Sequence, residues 1–159
     1  SRPIVYVDLV GDLLPASVRD YLVLQDKESI TPVIAFCYLS LSIEECGKRA
    51  RNWEKYIERY PDSENKKEAS GYFDEAWHYF LLGQMDAVWT NDTETLREEL
   101  RPVYEKYLKE NAGSETAKKL ESIYSVIKAK NYIWCDEVEF AYEKVMGFKP
   151  AKPRTRTGI

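Results

Sequence analysis

A chain of 159 residues with 44% apolar and 31% charged side chains has the balance of a folded globular protein rather than a disordered tail. Its formal net charge of −4 argues against broad nucleic-acid binding, because neutralising phosphates takes clustered cations. The length suits one domain with its own core and is short for two.

No apolar run reaches the roughly 18 residues that a membrane span needs, and no basic start leads into an apolar signal segment. A cytoplasmic location, or a nuclear one, is the expectation. Cys37, Cys46 and Cys135 are odd in number and lack CxxC spacing. Reduced thiols packed as small hydrophobes are expected.

In chain order, Pro3 to Val10 is rich in β-branched residues, yet no equally strong second run exists to pair with a strand there. An irregular or short helical lead-in is expected instead. Pro15-Ala16-Ser17 reads as the start of a short helix through Tyr21 and Leu24 to about Gln25, completing a lead-in of residues 1–30.

A long central helix is then expected from Thr31 to Tyr60. Phe36, Leu39, Ile43, Cys46, Ala50, Trp53, Ile57 and Tyr60 recur in alternating steps of three and four, the pattern of a helix seam. Thr31-Pro32 suits an N-cap and first turn, and Tyr60-Pro61 a stop. A second helix is expected from about Glu68 to Trp89, with Ala69, Phe73, Ala76, Phe80, Gly83 and Ala87 on the face toward the first.

Asn91 with Glu94 resembles a capping box that opens a further helix at Asp92, kinked or divided near Leu100 by Pro102. Asn111-Ala112-Gly113-Ser114 combines a stop, a turn and a new cap. Helical spacing resumes at Glu115 and continues to Gly147, with a break at Lys130-Asn131 left open. The basic tail, residues 148–159, has no apolar period and is expected to be extended. The fold class is therefore all-α: a bundle of about five to seven helices, cored by residues 31–147.

The most specific local signal is Ser42-Ile43-Glu44-Glu45-Cys46-Gly47-Lys48, after the apolar stretch Ala35 to Leu41. An apolar helix ending in an acidic pair, a variable residue and Gly-Lys resembles HEPN-type helical domains, particularly the abortive-infection AbiV branch. The resemblance covers Val33 to Tyr56. It implies an all-helical, often dimeric fold with roles in RNA cleavage, phage defence or toxin–antitoxin pairs. The family's RNase motif places an Arg, a polar residue and then, four to six positions on, a His. Here His78 is the sole histidine, and positions 71–74 are Gly71, Tyr72, Phe73 and Asp74. The chain departs from the motif, so the resemblance implies a catalytically silent member.

Read without the resemblance, Glu44 and Lys48 form a favourable i,i+4 pair, and Gly47 marks a close helix crossing or an approaching partner. Glu75 and His78 lie three residues apart on one helical face, as in ferritin-like carboxylate metal sites. Glu44 or Glu45, Glu98 or Glu99, and Glu137 or Glu139 are the nominal further ligands. A structural histidine is the plainer alternative. Arg51, Lys55 and Arg59 form an i,i+4 cationic ladder interleaved with Glu54 and Glu58, which describes a solvated face or a contact for phosphate or an acidic protein.

No nucleophile elbow, Gly-rich phosphate loop or paired-cysteine zinc spacing is present. The leading expectation is a non-catalytic helical interaction module for a protein partner, of regulatory, scaffold or toxin-neutralising type. Glu44, Glu45, Lys48, Arg49, Trp53 and Tyr79 are its candidate contact residues. A homodimer and a nucleic-acid partner are the alternatives, with no membrane and no cofactor.

Overall fold

The computed structural model of the chain describes residues 3–84 and 86–153. Seven α-helices and one two-stranded sheet lie among them, an all-α fold. The chain divides between Phe80 and Leu81 into two compact units.

In the first unit the lead-in is helical: α1 spans Pro3–Val10 and a 3-10 turn follows at Gly11–Leu13. Next comes α2, Ala16–Ile30, one turn longer than expected. Thr31 ends it outside the helical region (φ −133°, ψ 77°). The reason is Pro32, whose ring forces the preceding residue out of the helical region. Thr31-Pro32 thus stops one helix rather than starting another.

The expected helix over 31–60 is accordingly halved. Its apolar first part folds as a hairpin, β1 (Ile34–Ala35) against β2 (Tyr38–Leu39), with Ile34 opposite Leu39 and Ala35 opposite Tyr38. Phe36 and Cys37 form the two-residue turn, both in the left-handed region (φ 51° and 68°). Ser40 closes the base by donating its N–H to the Val33 carbonyl at 2.9 Å. Phe36 and Leu39 therefore leave the helix seam. A short run that is apolar on every side fits a strand as well as a helix, and the β-branched and aromatic residues here go with the strand.

The second half is α3, Ile43–Arg59. Ser42 caps it, its hydroxyl accepting from the Glu45 N–H at 3.1 Å, the first half of a Ser-x-x-Glu capping box. Ile43, Cys46, Ala50, Trp53 and Tyr56 are buried along one stripe, while Ile57 and Tyr60 are partly buried against the same core. Tyr60 and Pro61 end the helix as expected.

Then α4 follows, Lys66–Leu82. Ala69, Ala76 and Phe80 are fully buried, and a Cβ on Gly47 would stand 2.8 Å from the Phe80 ring. Glycine is what allows that ring to touch the α3 backbone. The Trp53 ring stacks on Tyr72 of α4 at 4.9 Å and packs on Tyr21 of α2 at 5.8 Å. Three helices thus share one aromatic core. The helix does not reach Trp89: Gly83, at φ +64°, supplies the left-handed residue that stops it.

In the second unit the expected helix at Asp92 is absent. Trp89 bridges Leu96, Thr95 bridges Ile133, and the hydroxyls of Thr90, Thr93 and Thr95 bond one another at 2.7–3.0 Å. Local side-chain bonding of this kind competes with a helix start, and here it wins over the Asn91/Glu94 signal. Helix α5, Leu100–Glu110, begins only afterwards. Pro102 is then its third residue, within the first turn, where no backbone donor is missed, so it causes no kink.

Ser114 caps α6, Glu115–Ala129, by accepting from the Ala117 N–H at 3.0 Å, and Gly113 turns at φ +87°. Asn131 and Tyr132, both left-handed (φ 55° and 62°), separate α6 from α7, Asp136–Met146. Gly147 ends α7 at φ +77°. The core of this unit joins Leu120, Ile123, Tyr124 and Ile127 to Trp89, Tyr104, Trp134 and Tyr142. Residues 148–153 carry no regular element, and the rest of the basic tail lies outside the described residues.

Candidate functional site

The candidate residues of α3 divide by burial. Glu44 and Lys48 face solvent and approach to 3.8 Å as an i,i+4 pair. Arg49 and Trp53, one turn apart, point inward and are 5% and 1% exposed. Both reach Glu28 on α2. Arg49 Nη1 lies 3.0 Å from Glu28 Oε2, and the Trp53 indole donates to Glu28 Oε1 at 2.9 Å. Arg49 Nη2 also donates to Thr31 Oγ1 at 2.7 Å, and its Nε donates to Glu45 at 3.4 Å.

One carboxylate, one guanidinium, an indole and a hydroxyl therefore form a clasp between α2 and α3. Glu28 has no signal in the sequence; only its position opposite Arg49 reveals it. A buried charge needs a partner to offset its lost hydration, and the internal partners of Arg49 and Trp53 occupy the groups that a docking partner would use. Their work in this fold is internal.

Glu75 and His78 do share a face of α4. His78 is half-buried, edge-on to Tyr79 with ring centroids 5.1 Å apart. Burial holds its imidazole below the usual pKa of 6.5. Glu75 moves the opposite way: partial burial of its carboxyl, then the nearby Glu28 carboxylate, push it above the usual 4.5. Among the described residues no three His, Cys, Asp or Glu side chains are gathered so as to hold a metal ion.

These shifts set a pH dependence of known sign. The unfolded chain binds a proton at residue 78 more readily than the folded one, so stability falls as pH drops through 6.5. Glu75, with a raised folded pKa, acts in the opposite sense, its penalty being relieved as it protonates. His78→Gln is expected to flatten the slope of stability between pH 7 and 5.5, measured by urea denaturation. A slope unchanged by the substitution would remove the argument.

The cationic ladder of α3 is broken up. Arg51 turns onto Glu54 at 2.8 Å and Glu58 at 3.6 Å. Lys55 and Arg59 remain exposed, Arg59 lying 3.4 Å from Asp20. Cys46 is buried, and burial raises its thiol to about 12, which makes it a packing group rather than a nucleophile. The other two cysteines, also outside any disulfide, are Cys37, exposed at the hairpin, and Cys135 before α7.

The hairpin carries the feature that helical spacing hid. Phe36 is 97% exposed and Tyr38 65%. No described helix is long and apolar enough to cross a membrane. Comparison with protein-family models, with curated proteins and with solved structures finds no match to this chain.

Proposed function

We propose that the chain is a non-catalytic helical interaction module, acting in the cytoplasm or nucleus, whose protein partner docks on the hairpin tip. The observation that carries this reading is Phe36, almost wholly in water at a turn that suits it poorly. Two-residue hairpins of this handedness favour Asn-Gly. Each non-glycine residue in the left-handed region costs about 1–2 kcal/mol. Local strain of this kind concentrates at functional positions. Aromatic anchors are enriched at the centres of protein interfaces, and Phe36 and Tyr38 present two from one tight turn.

A photo-crosslinking residue at position 36, with position 67 as control, identifies the partner for retesting with both proteins purified. Phe36→Ala is expected to leave stability within about 0.5 kcal/mol and to weaken binding by about 2 kcal/mol or more. Phe36→Asn combined with Cys37→Gly is expected to raise stability by about 1 kcal/mol and still abolish binding. A purified partner that binds the Phe36→Ala protein as tightly as the parent sinks the proposal.

The second reading is an RNA-directed or defence protein of the HEPN type, acting as a dimer. It is supported by the Glu44–Lys48 pair, exposed in the first turns of α3 beside the close Gly47–Phe80 packing. Lys48→Ala is the proper control for an RNA incubation, because Arg49 is interior. Intact RNA would retire the enzymatic form, and a monomer on sedimentation the dimeric one.

A further inference from the structure

The groove between α2 and the last turns of α3 has a composition that the hairpin reading does not use. It is an open groove of about 260 Å³, with Val23, Leu24 and Tyr56 as apolar walls and Asn52, Lys55, Arg59, Tyr60 and Asp20 around them. That volume suits a fragment-sized molecule, since pockets for larger ligands start near 300 Å³.

Two of the polar groups are unspent. Among the described residues, neither the Lys55 ammonium nor the Asn52 amide forms an ion pair or hydrogen bond. Asn52, Lys55 and Arg59 follow one another at steps of three and four, so all three line one side of the groove. On the opposite side Asp20 is engaged three times. It accepts from the Tyr60 hydroxyl at 2.6 Å and from Arg59 Nη1 at 3.4 Å, and Arg19 Nε lies 3.8 Å from its other oxygen.

Asp20 therefore fixes Tyr60 and one edge of the Arg59 guanidinium, leaving that group's other N–H donors directed elsewhere. Among the residues that line the groove, two cations, Lys55 and Arg59, stand against one carboxylate, Asp20. The helix dipoles do not alter this balance. The N-terminal turns of α2 and the C-terminal turns of α3 meet here, Ser17 lying against Tyr56 and Asp20 against Tyr60, so their opposite end charges offset each other.

We infer that this groove binds a small organic anion: a carboxylate or phosphate monoester on a compact apolar body. The anionic oxygens take Lys55, the free N–H groups of Arg59 and the Asn52 amide, while the body lies on Val23, Leu24 and Tyr56. Charge-assisted bonds fix the head, and the apolar walls select against a bare ion.

The test uses the intact chain and three probes, phenyl phosphate, benzoate and inorganic phosphate, each titrated while amide chemical shifts are followed. Saturable one-to-one binding of phenyl phosphate or benzoate is expected, with shifts confined to residues 19–24 and 52–60. Which of the two binds more tightly separates a phosphate source from a carboxylate source. Lys55→Gln is expected to weaken it about tenfold, as for the loss of one charge-assisted bond. Asp20→Asn, which removes the carboxylate that lines the groove, is expected to tighten it. The inference is overturned if neither organic probe saturates, if inorganic phosphate binds as well as phenyl phosphate, or if Lys55→Gln leaves affinity unchanged. Matching spectra of the free variants and parent outside the groove establish that the fold is retained.

Discussion

Trp53→Ala is expected to destabilise the first unit by about 3–5 kcal/mol. The side chain is 1% exposed, stacks on Tyr72 at 4.9 Å, and meets Tyr21 and Tyr56 at 5.8 and 5.9 Å. Removing it leaves a cavity ringed by three phenols that cannot all collapse into it. The indole N–H is lost as well, and with it one of the bonds to Glu28. Trp53→Phe separates these contributions: it keeps most of the ring packing and gives up the hydrogen bond, at a cost of about 1–3 kcal/mol for a buried acceptor left short of a partner. Since whole domains are stable by only about 5–15 kcal/mol, the alanine variant should lose most of its cooperative unfolding transition when followed by circular dichroism. A loss under 1 kcal/mol would show that Trp53 is not the centre of this core.

Arg49→Met should be nearly as severe, for a different reason. Methionine fills most of the space, but the Glu28 carboxylate, 6% exposed, then lacks its cation at 3.0 Å. Breaking a buried pair from one side costs about 3–5 kcal/mol, because the survivor stays charged in a poorly hydrated place. Adding Glu28→Gln should return a large part of that loss. The double-mutant cycle is expected to show a coupling above about 1 kcal/mol, as for residues in direct contact. Additive losses would mean that Arg49 and Glu28 do not act as a pair. The same experiment distinguishes an internal clasp from a binding surface: a surface arginine of this kind would change partner affinity and leave stability almost untouched.

The candidate site was legible only in part, and particular residues show why. Gly47 signalled a close approach within a helix, and the approach is real, with Phe80 as the neighbour. Arg49 and Trp53 stood out by type, yet their inward direction follows from Glu28, 21 and 25 positions earlier in the numbering. Spacing along one helix carries no information about a charge on another. Helical spacing places Phe36 in the core, where aromatic residues in such a pattern usually lie. It is instead the most exposed large hydrophobic side chain among the described residues.

Local chemistry acts over a few residues, and wherever it was unopposed it decided the outcome from the sequence alone. Ser114 capped a helix, Tyr60-Pro61 and Gly147 ended helices, and the step-of-three-and-four pattern from Ile43 to Trp53 buried one stripe of α3. The all-α class follows from the same rules. Where two local signals competed, the sequence did not show which would win, and at Asn91/Glu94 local hydroxyl bonding acted together with contacts distant in sequence. Thr31-Pro32 offered both a start and a stop, and Asn91/Glu94 offered a cap that Thr95 and Leu96 abandoned by pairing with Ile133 and Tyr132. Such choices belong to the tertiary structure, because short segments hold alternative conformations of nearly equal free energy until packing separates them.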